Sequence, residues 1–291
     1  MAGHAGDKWP VGGGEMGERI RAFDWASTPL GPSEAWSPAL RNTVGLMVTN
    51  RFPLLLWWGP NYIQIYNDAY SPILGSKHPH KALGRPVSEC WHVLQPLIDT
   101  PYNGGLATWM EDIELDINRY GFTEESHFTI AYSPVPDETM VSGIGGVLAT
   151  VHEITGKVVS GRRVALLREL GARVINTKAE EEACRVTTDI LAHHPKDVPF
   201  ALLYIVDPSH RHARLAGWAN IDPGLSESPL TVELDGSITA VHPWPLAEAL
   251  QNETMQVIED VSARVKRVPP GPWSDATRQA VIVPIQSNFA H

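Results

Sequence analysis

The chain has 291 residues, 43% hydrophobic and 19% charged, and such a length is typical of two domains of about 100–150 residues each. A formal net charge of −10 argues against a nucleic-acid partner or an anionic membrane surface, because both require a basic protein face. Two cysteines, Cys90 and Cys184, exclude a disulfide framework and favour a reducing, cytoplasmic compartment.

The first half of the chain predicts a lead-in, a helix and then a strand-rich domain. Residues 1–19 are rich in glycine and lack the hydrophobic stretch of a signal peptide, which predicts a flexible lead-in without a secretion signal. Within residues 35–48, apolar residues recur at spacings of three and four, the pattern of an amphipathic helix. Short helices are expected between residues 67 and 100. The predicted strands are 52–58, 62–67, 108–115, 124–133 and 145–152.

The run 52–58 is the most apolar stretch of the chain, and it is far shorter than the roughly 20 residues that span a bilayer. We therefore expect no membrane insertion. Its alternation as a strand sends Trp57 and Trp58 to opposite faces of the sheet, so only one of them can face a given side.

The second half predicts two helices in series followed by strands. The helical pattern covers 156–193 and breaks near Asn176, where Thr177 and Glu180 have the spacing of a capping box. The later elements are strands at 200–207, 214–218, 256–258 and 280–285, with a helix at 246–251. Neither half alternates strand and helix as a parallel sheet does, so we predict an α+β fold with two antiparallel-sheet domains joined by helix.

Residues 20–157 resemble the PAS domain at the N-terminus of many bacterial hybrid sensor histidine kinases. The matching stretches are RFPLLLWWGP at 51–60, IYNDAY at 65–70, LGRP at 83–86 before Trp91, NRYGF at 118–122 with EE at 124–125, YSP at 132–134 and GGVLATVHEIT at 145–155. The last stretch is similar to the closing PAS strand, which ends in an acidic-x-Thr signature. The resemblance implies that Glu153 and Thr155 mark the junction where a signalling helix begins.

Residues 158–291 resemble the GAF domain that often follows a PAS domain in such proteins. The matching stretches are LLRELG at 166–171, EEAC at 181–184, DVPFA at 197–201, WPL at 244–246, PPGPW at 269–273 and VPI at 283–285. Because this family continues with a further strand and a helix, we expect the GAF domain to be truncated at its C-terminal end.

The two resemblances imply a sensory input module of a two-component signalling protein. Such a module detects a small molecule or partner and passes a conformational bias through helices to a downstream histidine kinase, its response regulator and a phosphorelay. A homodimer is implied as well. The sequence has neither a phospho-accepting His box nor an ATP-binding motif, since the glycines at 143–146 have no Lys-Ser/Thr partner, so no catalytic residue is predicted. The alternatives are a GAF-fold enzyme acting on a small molecule and a ligand-free dimerisation scaffold.

PAS domains curl a sheet around a small-molecule pocket, and the resemblance implies an aromatic wall for it. The candidate pocket residues are Trp57, Tyr66, Trp91, His92, Trp109, Phe128 and Tyr132. Aromatic residues are also the ordinary material of a protein core, which is the competing interpretation.

No cofactor is required by the sequence, and two remain open as alternatives. Haem could use His92 as an axial ligand, and flavin could use Cys90, whose surroundings only partly match the flavin-adduct motif. Cys184 lies on a helix and suits a buried thiol better than bilin attachment. Three carboxylates in one predicted strand, Asp112, Glu114 and Asp116, could bind a hard cation, but a solvated sheet face accounts for them and no metal is predicted.

Overall fold

A computed structural model describes residues 9–89, 94–234, 243–265, 267, 269, 271–272 and 277–286. The chain divides into two compact units, Met1–Val158 and Val159–His291, next to the boundary that the sequence suggests at residue 157. All strand pairs in both units are antiparallel, which confirms the α+β class. No helix in the described ranges is long and apolar enough to cross a bilayer.

The first unit begins with two helices, α1 (Gly14–Ala22) and α2 (Pro38–Val48). Ser37 caps α2 by accepting a hydrogen bond from the backbone N–H of Leu40, and proline stands at the first helical position. The predicted lead-in is therefore already helical from Gly14, because Met16 and Ile20 bury their side chains in the core. Residues 1–8 lie outside the described part of the chain.

Five strands form the sheet of the first unit, and their order is β2-β1-β5-β4-β3. They are β1 (Leu54–Trp58), β2 (Ile63–Tyr66), β3 (Thr108–Asn118), β4 (Thr123–Pro136) and β5 (Ile144–Glu153). All five were predicted, although β3, β4 and β5 extend further than their apolar patterns indicate. Two short helices, α3 (Ser71–Leu74) and α4 (Gln95–Tyr102), lie between β2 and β3.

The two faces of this sheet are covered differently. α4 packs on β3, β4 and β5, while α2 packs on β1 and β2. Every residue of β1 is buried, as expected for a strand with cover on both faces, whereas β3 alternates between partly buried and exposed positions. We call the face that contacts α3 and α4 the inner face. Trp57 lies on it and Trp58 on the outer face, as alternation predicts.

Most of helix α5 (Thr155–Val174) belongs to the second unit, and helix α6 (Glu180–Ala192) follows it. The predicted break between the helices is confirmed, but the prediction that Thr177 and Glu180 form a capping box is wrong. Ala179 is the N-cap residue, and Glu182 instead accepts a hydrogen bond from the backbone N–H of Lys178.

The described strands of the second unit form two small sheets. β6 (Ala201–Val206), β7 (His212–Ala219) and β8 (Thr231–Glu233) make the first. After α7 (Leu246–Asn252), strands β9 (Gln256–Ile258) and β10 (Ala280–Ile282) make the second. β8 was not predicted, although β9, which has the same length, was; β8 pairs with β7 over three residues. Among the described residues, the single curved sheet that the GAF resemblance implies is not seen.

Candidate functional site

The inner face of the first unit holds a tight aromatic cluster. Trp57 and Tyr132 are each 1% exposed, and their ring centroids lie 5.5 Å apart. Phe128 is fully buried on the same face. The space left between these side chains, α3 and α4 is a cavity of about 10 Å³. That volume is close to the minimum of roughly 10–15 Å³ that one water molecule needs.

Two buried polar groups, both on residues that line the cavity, have no hydrogen-bond partner in the described residues. They are the indole N–H of Trp57 and the hydroxyl of Tyr132. Burial raises the pKa of Tyr132, so its hydroxyl stays protonated and can donate. Leaving such a group unsatisfied costs about 1–3 kcal/mol. Each group would therefore gain a hydrogen bond from an acceptor that entered the interior.

Tyr66 is fully buried but does not line the cavity. Its hydroxyl lies 2.9 Å from Nδ1 of His78 and is therefore already hydrogen-bonded. The pocket role predicted for Tyr66 is thus not what the structure shows, because its hydroxyl is turned to a partner outside the aromatic cluster.

Trp109 is separated from the cluster. Its side chain is 63% exposed, and its indole N–H donates to Glu111. The prediction that Trp109 lines the pocket is therefore wrong. Trp109 pairs with Ala131 in the register of β3 and β4, and because side chains alternate along a strand, both lie on the outer face. Trp91, His92 and Cys90 lie outside the described residues, so their predicted roles are untouched.

The haem and flavin alternatives depend on His92 and Cys90, which lie outside the described residues. The cavity itself is small compared with known ligand pockets, which occupy about 300–1,000 Å³ for drug-sized molecules. A larger groove of about 560 Å³ lies open on the surface of the first unit. It is lined by turn residues, including Thr28, Pro60 and Arg85, which follow no periodic pattern and which sequence reasoning did not identify.

The predicted junction residues join the end of β5 to the start of α5. Both terminal nitrogens of Arg119 donate to the Glu153 carboxylate at 2.9 Å. The Thr155 hydroxyl donates to Glu153 at 2.9 Å and accepts a hydrogen bond from the backbone N–H of His127, also at 2.9 Å. Arg119 holds the pKa of Glu153 below its usual value. The sheet therefore fixes the position at which the long helix begins.

A histidine that sequence reasoning missed lies beside this junction. His127 is 6% exposed on the outer face of β4. Its Nδ1 lies 2.6 Å from Asp112 and its Nε2 lies 2.9 Å from Glu125. Burial lowers the pKa of His127, but the hydrogen bonds to Glu125 and Asp112 outweigh this effect and the pKa is raised overall. The detectable signal was alternation, which sends Glu125 and His127 to the same face of one strand.

No family model matches the sequence, and a search of the curated proteins found no match. Among solved structures, the chain is similar to the PAS domain of BvgS from Bordetella pertussis. The identity is 16%, the match covers 45% of this chain and 96% of that domain, and the TM-score is 0.34. For a sensory box sensor histidine kinase from Vibrio cholerae, the identity is 15%, the coverage is 35% and 77%, and the TM-score is 0.25.

The chromophore-binding domain of the Stigmatella aurantiaca bacteriophytochrome is similar over 80% of this chain and 68% of its own, with 12% identity and a TM-score of 0.26. Because these TM-scores are low, the fold assignment depends on the topology of this chain itself. Two strands, a run of short helices and three further strands make one five-stranded antiparallel sheet in the first unit. That succession is the one expected from the PAS resemblance, and the first unit has a PAS-like fold.

Proposed function

We propose that the chain is a sensory input module of a two-component signalling protein and that the interior of its first unit binds a small molecule. The observation that carries the proposal is the pair of unpartnered groups, the Trp57 indole N–H and the Tyr132 hydroxyl, in an otherwise apolar interior. Each group has a hydrogen bond to give. A small carbonyl or carboxylate compound could accept both, but the cavity of about 10 Å³ is too small for it, so binding requires side chains such as Phe128 to move apart.

Strand β4 connects the interior to the junction. Phe128 lines the cavity, and its neighbour His127 makes two backbone hydrogen bonds to the start of α5, one to Thr155 and one from Ile154 at 2.8 Å. A ligand that moves Phe128 would therefore shift strand β4, whose backbone is hydrogen-bonded to the start of α5. A ligand shifts such an equilibrium only by its difference in affinity for the two states, and a coupling of about 1–3 kcal/mol is typical.

The proposed output is a downstream histidine kinase with its response regulator, reached through a homodimer. Exposed apolar residues on and just after α5 support the dimer: Val164 is 45%, Leu167 67% and Ile175 81% exposed. Their spacings of three and eight keep them near one side of a helix. A second copy of the same helix would cover them, as in a short helical pair.

Nuclear magnetic resonance of the Trp57 indole N–H tests the ligand proposal. Small carbonyl and carboxylate metabolites would be titrated into the full chain. We expect at least one of them to shift the Trp57 indole signal and to lose affinity in Tyr132→Phe. Trp58→Phe, a change on the outer face, is the control and should leave binding intact. A Trp57 signal that no metabolite moves would contradict the proposal.

The ligand-free dimerisation scaffold remains a second candidate, and the small size of the cavity favours it. Side chains fill the inner face to within about 10 Å³. For a scaffold, native mass spectrometry would show a dimer without any bound small molecule, and dimerisation would be lost on Leu167→Glu. For the sensor, the same variant would lose the dimer but keep the ligand-dependent Trp57 shift.

A further inference from the structure

The cluster around His127 is distinct from the interior, because it lies on the outer face of the sheet. His127 has a side chain only 7% exposed, and the side chain of Glu125 is 10% exposed. Glu114 stands directly opposite His127 in the register of β3 and β4. One ligand atom from each of these three residues lies within 4.8 Å of the others.

A β-bulge brings a fourth group to the cluster. The register of β3 shifts between Met110 and Ile113, and Asp112 adopts a left-handed backbone with a φ of 53°. This conformation is uncommon outside glycine, although aspartate and asparagine tolerate it better than most residues. The bulge takes Asp112 out of the regular alternation and sets its carboxylate 2.6 Å from Nδ1 of His127.

Hydrogen-bond accounting shows that a neutral His127 cannot satisfy both of its neighbours. A neutral imidazole has one N–H and one lone pair, whereas here both ring nitrogens face carboxylate oxygens. If Nδ1–H donates to Asp112, the lone pair of Nε2 points at Glu125. This contact is attractive only with a proton between Nε2 and the Glu125 carboxylate or with a metal ion bound to both.

The charges favour the metal ion over the proton. Three carboxylates surround the single imidazole: Asp112, Glu114 and Glu125. A divalent ion adds two positive charges next to these carboxylates, whereas a proton on His127 adds one. The bond from Nδ1 to Asp112 also matches the carboxylate–histidine–metal arrangement, in which an outer carboxylate fixes the ring of a ligating histidine.

We propose that His127, Glu125 and Glu114 form a binding site for one divalent transition-metal ion, with Asp112 orienting the imidazole. One nitrogen and two carboxylate oxygens suit a borderline ion such as Zn²⁺, and three protein ligands leave a position for water. Glu114 has an exposed side chain that can turn toward the metal. The sequence predicted no metal and offered only Asp112, Glu114 and Asp116 as possible ligands of a hard cation. The proposal adds His127 and Glu125 and leaves Asp116 out.

The position of the site gives the ion a structural consequence. The backbone N–H and C=O of His127 both bond to the start of α5, through Thr155 and Ile154. A metal held by the His127 side chain would therefore stiffen the strand at the junction. This inference does not depend on a ligand in the interior, since none of the three metal-binding side chains lines that cavity.

Zn²⁺ titration of the full chain by isothermal calorimetry tests the proposal. We expect one tight equivalent per chain and a loss of affinity of at least tenfold in Glu125→Gln and in Glu114→Gln. Asp112→Asn should lower the affinity by about 10–100-fold, the usual effect of removing an outer carboxylate. Because the chain has 12 histidines, Glu111→Gln and His152→Gln are the matched controls and should bind Zn²⁺ as the parent does.

Circular dichroism establishes that each variant is folded before its affinity is compared. His127→Gln keeps a polar side chain, so its loss of Zn²⁺ binding with an unchanged spectrum supports the site. Affinity that is equal in Glu125→Gln, Glu114→Gln and the controls would overturn the proposal and indicate adventitious surface binding. Nitrogen-15 spectra that show both ring nitrogens of His127 protonated in the presence of excess Zn²⁺ would overturn it as well, because a proton would then occupy the position proposed for the metal ion.

Discussion

At the scale of the residue, the most consequential feature is a hydroxyl without a partner. Tyr132 and Tyr66 lie on one sheet, and each is at most 1% exposed. The hydroxyl of Tyr66 is hydrogen-bonded to His78, whereas the hydroxyl of Tyr132 has no hydrogen-bond partner in the described residues. The PAS resemblance implied that Trp57, Phe128 and Tyr132 would belong to one aromatic wall, and a plain hydrophobic core was the competing interpretation. Which hydroxyl would lack a partner could not be predicted, because it depends on neighbours brought in by other strands and helices.

The two tyrosines give a matched pair of substitutions. In the ligand-free chain, Tyr132→Phe should leave the free energy of unfolding unchanged or raise it by about 1 kcal/mol, since it removes an unsatisfied buried group. Tyr66→Phe should lower it by about 0.5–1.5 kcal/mol through the lost hydrogen bond. Urea unfolding measures both. A loss of stability in Tyr132→Phe as large as that in Tyr66→Phe would show that the Tyr132 hydroxyl has a partner.

At the scale of the element, the junction between β5 and α5 depends on one ion pair. The acidic-x-Thr pattern predicted that Glu153 and Thr155 would mark this point. The partner, Arg119, was part of a matching stretch but had no predicted role, since it lies 34 residues away in sequence. The bulge at Asp112 was not predicted either, although the sequence carries a signal for it: Glu111 and Asp112 are two polar residues in succession, and they break the alternation between Met110 and Ile113. Local sequence patterns therefore predict the helices and strands, whereas the pairing between strands determines which side chains are in contact.

The junction should make stability depend on acid. Because Arg119 holds the folded-state pKa of Glu153 below 4.5, this group stabilises the fold above about pH 4.5 and loses that contribution as pH falls through its lower folded-state pKa. Glu153→Gln should therefore flatten the dependence of unfolding free energy on pH below about 4.5. Glu111→Gln, at an exposed position, is the control. Identical slopes in Glu153→Gln and the parent would contradict the assigned ion pair.

At the scale of the whole molecule, the chain has two separate cores. One contains Leu56 with the helices and sheet of the first unit, and the other contains Ile258 and Val261. Composition and the change from strand to helix near residue 156 predicted two domains, and each half was predicted to be antiparallel. The two-sheet arrangement of the second unit was not predicted, because local patterns indicated strands there but not which strands pair with each other.

Separate cores predict separate responses to mutation. Leu56→Ala and Ile258→Ala each remove a buried aliphatic side chain, which typically costs about 2–5 kcal/mol. Leu56→Ala should lower the stability of the first unit and leave amide protection of β7 unchanged. Ile258→Ala should leave protection of β1 and β5 unchanged. Hydrogen exchange measures both, and a loss of protection across the whole chain from either variant would contradict the division.

The central claim is that the interior between Trp57 and Tyr132 holds a small hydrogen-bonding molecule. A high-resolution crystal structure of the protein purified from cells tests it most directly. We predict density for an organic molecule larger than a single water, with acceptor atoms within about 3 Å of both the Trp57 indole nitrogen and the Tyr132 hydroxyl. An interior without such density, in which both groups bond to protein acceptors instead, would contradict the account.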